Sequence, residues 1–330
     1  MIYPKNIYGK STIGIPAPSS GVGESLDEFN LALKMLSDYG FKIKETKSVR
    51  NTGIVSADAA TRARELMELI EDDSVDAVFS AKGGDFMEEI LPYLDFNSIK
   101  AHPKWFMGFS DNTNYTFPTT VICDMATVYG PNAKSFSMNP LHESLEIALA
   151  ILRGEDVTQV STKRHQRGFL TTEKGYTLNE DTIYKTVSGK SVKMTGRLIG
   201  GCLDVLRNLV GTPYGEVSTF LEKYKEDGFI WYFDIFALSA EDTCHALLQM
   251  KYAGWFKYLK GIVNGRVCFP STMMDMSYEE AFIRALGEDI PIITEADIGH
   301  VHPSMTIING ALAEVIAENG AGSIRLIRKA

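Results

Sequence analysis

The stretch Lys104-Trp105-Phe106-Met107-Gly108-Phe109-Ser110-Asp111-Asn112-Thr113 has the residue types of a nucleophilic turn. An apolar run meets a glycine, one aromatic and a serine, and then a polar set, Asp111 to Asn114, of the kind that opens helices. Strand, tight turn and helix start are the setting of a nucleophile elbow, which pushes a serine hydroxyl out of the sheet edge. The helix start also brings backbone N–H groups beside it, where negative charge is stabilised. The match to G-x-S-x-G is partial, because Asn112 stands where the second glycine would be. Taken alone, the stretch favours a plainer role for Ser110, that of a helix N-cap. A nucleophilic serine also needs a base to take its proton. The chain has six histidines, and each read singly is a packing or surface residue.

Other chemistries find less support. Cys123, Cys202, Cys244 and Cys268 show no C-x-x-C spacing and read as scattered thiols of a reducing cytoplasm. There is no zinc pattern and no G-x-x-x-x-G-K-[ST], so no metal or cofactor is expected. A formal charge of −9 and the lack of a Lys/Arg block argue against nucleic acid as a partner. No apolar run reaches the ~18 residues a membrane helix needs, and residues 1–10 do not read as a secretory signal. The expected location is therefore cytoplasmic, with no membrane partner.

The elements that must position Ser110 follow an alternating pattern. At 330 residues, two domains are the default. Strands are expected at 11–17, 41–46, 76–80 and 105–109, with helices at 26–39, 57–70 and 86–94 between them. Leu26, Phe29, Leu33 and Leu36 make the stripe of the first helix, and Gly40 stops it. Such alternation means a parallel sheet covered on both faces, with ligands beyond the carboxyl ends of its strands. The third strand ends on Lys82-Gly83-Gly84-Asp85 and the fourth on Ser110, so both turns open on one rim. Pro118 predicts a kink or restart in the helix after Ser110, and residues 145–152 form a helix that closes the domain.

The expected division is an N-terminal domain at 1–160, a connecting segment with a hairpin at 161–192, and a C-terminal domain at 193–330. In the last, strands are expected at 195–201, 229–236, 261–269 and 291–294, with helices at 203–209, 240–252 and 278–286. Residues 307–310 and 313–316 read as a closing pair of strands. Asp234 is the one carboxylate in its apolar strand.

The order of landmarks resembles the LD-carboxypeptidase family of serine peptidases, which also holds the microcin-immunity peptidases. The matching pieces are Ile15-Pro16-Ala17-Pro18-Ser19-Ser20, Asp58 to Arg62, Lys82-Gly83-Gly84 and Gly108-Phe109-Ser110-Asp111. They continue as Tyr129-Gly130-Pro131, Gly200-Gly201, Gly211-Thr212-Pro213-Tyr214 and Gly299-His300. The resemblance implies a two-domain α/β fold: a flavodoxin-like parallel-sheet domain with the serine, and a mixed-sheet domain with acid and histidine. It places the active site in the cleft between them. It implies metal-free cleavage of an amide bond after an L-configured centre, in a murein peptide or related conjugate, by a cytoplasmic homodimer of peptidoglycan recycling.

Carried over residue by residue, Ser110 matches the nucleophile and His300, directly after Gly299, the base. His302 lies two residues on, without the preceding glycine. Asp234 stands where the family has glutamate, one methylene longer, and Glu241 is the rival acid, more naturally serving its own helix start. The backbone N–H groups of Gly84 and Asp111 are the expected oxyanion donors. Glycine at 84 would let a scissile carbonyl approach. Asp85 to Glu89 departs from the family's usual Gly-Tyr-Gly continuation, which bears on the substrate more than on the chemistry. Alternatives are a microcin-type aminoacyl-nucleotide amidase, a non-catalytic ligand-binding protein, a nucleotide binder using Gly83-Gly84, and a two-domain sugar binder.

Overall fold

The computed structural model describes residues 1–168, 171–172 and 175–327. These fall into two compact units. The first holds Met1–Glu155 and Thr306–Ile308, and the second most of the chain from Asp156 to Met305 with the segment from Asn309 onward.

The first unit is built on β1 (Thr12–Ile15), β2 (Lys42–Glu45), β3 (Ala77–Phe79), β4 (Trp105–Gly108) and β5 (Thr127–Tyr129). Their order is β2-β1-β3-β4-β5, and the pairings among them are parallel. This is the flavodoxin-like order, whose ligand rim is the carboxyl ends of the strands. Every residue of β3, β4 and β5 is buried, as an apolar run covered on both faces must be. Helix α1 is Leu26–Asp38 and α2 is Ala59–Glu71, whose first turn is capped by Asp58 accepting from Thr61 N at 2.9 Å.

The helix expected at 86–94 is instead a 3-10 segment, Met87–Tyr93, followed by α3 at Phe96–Ala101. Pro92 cannot donate to an α-helical ladder, and Asp95 starts a new helix by accepting from Asn97 N and Ser98 N. Helix α4, Thr113–Cys123, runs on through Pro118 rather than restarting there. Thr113 to Val121 are all buried, and packing on every side outweighs the ~3 kcal/mol interior cost of proline. Helix α5, Glu143–Leu152, follows.

Among the described residues the second unit carries an eight-stranded mixed sheet. Its parallel half runs Val192–Cys202, Phe229–Asp234, Leu259–Gly265 and Ile292–Ala296. Leu312–Glu318 pairs antiparallel with Val192–Cys202, then with Ala321–Leu326, which pairs with Thr158–Val160. Lys185–Thr186 adds an antiparallel edge beside Ile292–Ala296. Its helices include α6 (Leu203–Leu209), α7 (Ser218–Lys223), α8 (Ala240–Tyr252) and α9 (Tyr278–Leu286). Of segment 161–192, residues 169–170 and 173–174 lie outside the described residues. In the rest, Arg164–His165 pairs antiparallel with Glu180–Asp181.

The expected closing pair of strands does not pair with itself. Ile307–Asn309 extends the first sheet beside β5, whereas Leu312–Glu318 belongs to the second. Gly310, at φ +83°, makes the turn between them. Among the described residues no helix is long and apolar enough to cross a membrane.

Candidate active site

Ser110 leaves the carboxyl end of β4 in a left-handed conformation, φ +66°. A serine there is strained by about 1–3 kcal/mol, which the surroundings must impose. They do so through amides. Asn112 Nδ2 donates to Phe109 O at 3.0 Å and to Asn132 Oδ1 at 3.1 Å, and Phe109 N donates to the same Oδ1 at 3.2 Å. Ser110 N donates to the Tyr129 hydroxyl at 3.1 Å. Gly108 is required by Asn112, since a Cβ at 108 would lie 2.8 Å from its Cγ. So the asparagine in place of a second glycine is the clamp of the turn. Phe109, not Ser110, takes the N-cap position of the 3-10 turn Ser110–Asn112, and Ser110 itself is half-buried.

The Gly83-Gly84 turn does open on the same rim: a Cβ on Gly83 would lie 3.2 Å from Ser110 Cβ and 3.4 Å from its Oγ. The structure adds a second reason for glycine at 84. A Cβ there would sit 2.2 Å from Ser19 Oγ and 2.4 Å from Ser20 Oγ, so the neighbouring serines already demand glycine. Asp111 ties these loops together. Its buried carboxylate accepts from Ser19 Oγ, from Met87 N at 2.8 Å and from Asn114 Nδ2 at 2.8 Å. Burial pushes the Asp111 carboxyl up from its ordinary value, against those three hydrogen bonds. Arg62, also buried, donates to Pro18 O and Phe86 O at 2.9 Å each and bridges the same two loops. The Ser110 N–H is engaged by the Tyr129 hydroxyl.

In the second unit Asp234 ends its strand fully buried and meets His300, which is 2% exposed. His300 Nδ1 lies 2.7 Å from Asp234 Oδ2, and His300 N donates to Oδ1 at 3.2 Å. Both carboxylate oxygens thus face one residue, which fixes the ring and directs Nε2 away from the acid. Gly299, at φ +94°, makes this possible: a Cβ there would fall 2.0 Å from Asp234 Oδ1. The Phe236 ring lies 4.6 Å from the imidazole and shields the pair.

Glu241 sits in the first turn of α8, but its Oε1 serves a loop, accepting from Thr272 Oγ1 at 2.8 Å, Met273 N at 3.1 Å and Met274 N at 2.8 Å. Burial pushes its carboxyl up, and hydrogen bonds from its own N–H and from that loop outweigh this to leave it at about 2. That is a loop anchor, and Asp234 holds the histidine. Burial, with the Asp234 charge second, pushes the Cys202 thiol up, and Cys268 rises to about 12, so neither supplies a thiolate. His302 stacks on Tyr176 at 4.9 Å, His142 caps α5 by accepting from Ser144 N at 3.1 Å, and His102 closes α3 against Ser98 O.

Ser110, Gly84 and Asp111 are therefore together in the first unit, and Asp234 and His300 together in the second. The sequence assigns no role at the site to Tyr129, Asn132, Asn112 or Ser19. The available signal was their place: Tyr129 ends β5 and Asn132 lies three residues on, at the carboxyl end next to the one that carries Ser110.

Comparison with known proteins matches residues 13–130 to the LD-carboxypeptidase N-terminal domain and residues 195–315 to the LD-carboxypeptidase C-terminal domain. A probable murein peptide carboxypeptidase of Bacillus subtilis is 28% identical over 94% of this chain and 90% of its own. The microcin C7 self-immunity protein of Escherichia coli is 24% identical over 89% of this chain and 86% of its own. In fold, the chain is similar to the crystal structure of an MccF-like protein from Bacillus anthracis. The TM-score is 0.84 at 23% identity, with both chains fully covered.

Proposed function

The chain belongs to the LD-carboxypeptidase family, and from that premise we propose that it hydrolyses an amide bond by serine acyl transfer, with Ser110 as nucleophile, His300 as base and Asp234 as the acid that orients it. The observation that carries this reading is the buried Asp234–His300 pair, with Nδ1 2.7 Å from the carboxylate. A carboxylate costs several kcal/mol to bury unless paired, and in a Ser-His-acid scheme the nitrogen opposite the acid is the one that transfers the proton.

In the scheme, His300 Nε2 takes the Ser110 proton as Oγ attacks the scissile carbonyl carbon. The oxyanion is met by the N–H groups of Gly84 and Asp111, worth about 3–4 kcal/mol per donor. Nε2 then returns the proton to the leaving amine, the C–N bond breaks, and an acyl ester on Ser110 remains. Water, deprotonated by the same Nε2, hydrolyses the ester and restores the serine. The scheme requires Nε2 to come within ~3 Å of Ser110 Oγ during turnover.

The substrate we assign is a murein peptide or related peptide cut after an L-configured centre, with a D-residue leaving. The setting we assign is cytoplasmic peptidoglycan recycling by a homodimer. Similarity to the microcin self-immunity protein supports a second substrate class, an aminoacyl-nucleotide conjugate cleaved by the same residues. Parallel assays on an LD-tetrapeptide and on such a conjugate separate the two by their kcat/KM.

A fluorophosphonate probe tests the nucleophile. It should form one adduct, mapped to the peptide bearing Ser110, and the adduct should fade in His300→Ala. An adduct on another serine, or LD-peptide hydrolysis with Ser110 unlabelled, overturns the assignment.

A further inference from the structure

His300 rides on a loop whose neck is closed by Met305 N donating to Asp297 O at 2.7 Å. Within it, Gly299 N donates to Ser304 Oγ at 2.8 Å. The loop lies hard against the end of strand Leu259–Gly265, where a Cβ on Gly265 would fall 2.1 Å from Ile298 O. The next residue, Arg266, is 4% exposed and aims its guanidinium into the loop. Nη2 donates to Asp297 Oδ1 at 2.5 Å and reaches the carbonyls of Val301 and Pro303 at 3.5 Å. Nη1 donates to Glu295 O at 3.2 Å. The other Asp297 oxygen accepts from Thr162 N at 2.8 Å, and Asp297 N donates to the Tyr184 hydroxyl at 2.8 Å.

The acyl-transfer scheme uses neither charge. A buried ion pair is also a poor device for stability alone, since apolar residues of similar volume often hold a core as well or better. A guanidinium does something they cannot. Its planar fork meets a carboxylate and several carbonyls at once, on both sides of residue 300.

We infer that Arg266 and Asp297 are a positioning pair for the base. They set the backbone from 297 to 303 so that both the N–H and Nδ1 of His300 meet Asp234. The inference rests on the role proposed for His300, but its main readout does not need turnover. The proton between His300 Nδ1 and Asp234 should give a far-downfield NMR line, assigned by its loss in His300→Gln. In Arg266→Gln the line should broaden or vanish. Arg266→Lys, which keeps a charge for Asp297 but not the fork, should be intermediate. Because Arg266→Gln strands the Asp297 charge, the double variant Arg266→Gln/Asp297→Asn is measured beside it. On the LD-peptide, the folded variants should lose about 10- to 100-fold in kcat with KM within about twofold, the mark of a misplaced catalytic group. A line unchanged in position and width in the folded variants, or absent from the wild type, overturns the inference. An intact line that responds as expected in a protein that cleaves no amide would instead sink the base assignment and leave the positioning standing.

Discussion

The turn proposed to carry the nucleophile and the proposed acid–base pair are built by different means. Ser110 is held by its backbone: a left-handed φ of +66°, two asparagine amides and a tyrosine hydroxyl, with its own side chain half-buried. Asp234 and His300 are held by their side chains, in a fully buried contact around which Gly299 has been kept bare. The difference suits the tasks proposed for them. A nucleophile must be reachable, and its hydroxyl is neutral, so geometry is supplied from the main chain behind it. An orienting acid must be charged and shielded, so it needs a partner to offset desolvation. Stability should thus be almost indifferent to the hydroxyl and sensitive to the carboxylate.

The largest effect tests the first half of that contrast. Ser110→Ala should lower hydrolysis by about 10³-fold or more, because removing one member disables the unit. Unfolding free energy should stay within about 0.5 kcal/mol of wild type, the usual range for a substitution at a half-buried position that keeps the Cβ. A large loss of stability would mean that the hydroxyl helps to hold the turn, and the contrast would fail.

The second half is probed at Asp234. Asp234→Asn should cost about 10²–10⁴-fold in kcat, by favouring the wrong tautomer of His300. It should also cost about 1–3 kcal/mol in stability, since a buried hydrogen bond to a charged acceptor is replaced by a weaker neutral one. Glutamate, the family's usual acid, is not expected to substitute freely here. Oδ2 is already 2.7 Å from Nδ1, and Oδ1 occupies the space of a missing Cβ at 299. An extra methylene overpacks the site, so Asp234→Glu should melt lower by about 1–3 kcal/mol and retain only partial activity. A Glu variant as active and stable as wild type would show that the strand end yields, and that shape at this acid is not what holds the base.

How legible this was in the sequence depended on whether the cause was local. The α/β alternation and the apolar runs of β3 and β4 were readable because full burial on both faces leaves a continuous apolar string. The helix at 278–286 was readable because Ser277 and Glu280 form a capping box and the stripe is strong. The 3-10 segment Met87–Tyr93 is not distinguished from an α-helix by its apolar spacing, and only Pro92 within it marks the departure. The fate of 307–316 was missed because partner choice between two sheets leaves no local trace. At the site, a serine at a strand-to-helix turn could be proposed from spacing. The roles of His300 and Asp234 came only from resemblance, since they are 66 residues apart and meet through tertiary structure. That Gly84 serves Ser19 and Ser20, and that Asn112 clamps the turn, are side-chain contacts across loops, which spacing does not encode.

The smallest predicted effect lies at Asp111, a buried carboxylate beside Ser110 whose hydrogen bonds come from neutral donors. It is the exception to the contrast, a charge on the serine side held by neutral donors. Burial raises its pKa above the ordinary carboxyl value of about 3.9, with Ser19, Met87 and Asn114 opposing. Between the raised value and about 3.9, the folded protein therefore holds a proton that the unfolded chain has released. Where the native state binds more protons, stability falls as pH rises. Asp111 thus adds a term that strengthens the fold as pH drops through its raised pKa and levels off below about 3.9, opposing the usual acid loss. Asp111→Asn removes that term. Urea unfolding at a series of pH values should show the variant losing stability more steeply than wild type as pH falls through that window. Its stability above the window should differ less than at a paired charge, because an amide can still accept from Ser19 or Met87. If the two proteins have parallel pH profiles, Asp111 is not titrating with a raised pKa. The nucleophile side would then contain no strained charge, and the contrast with Asp234 and His300 would be complete.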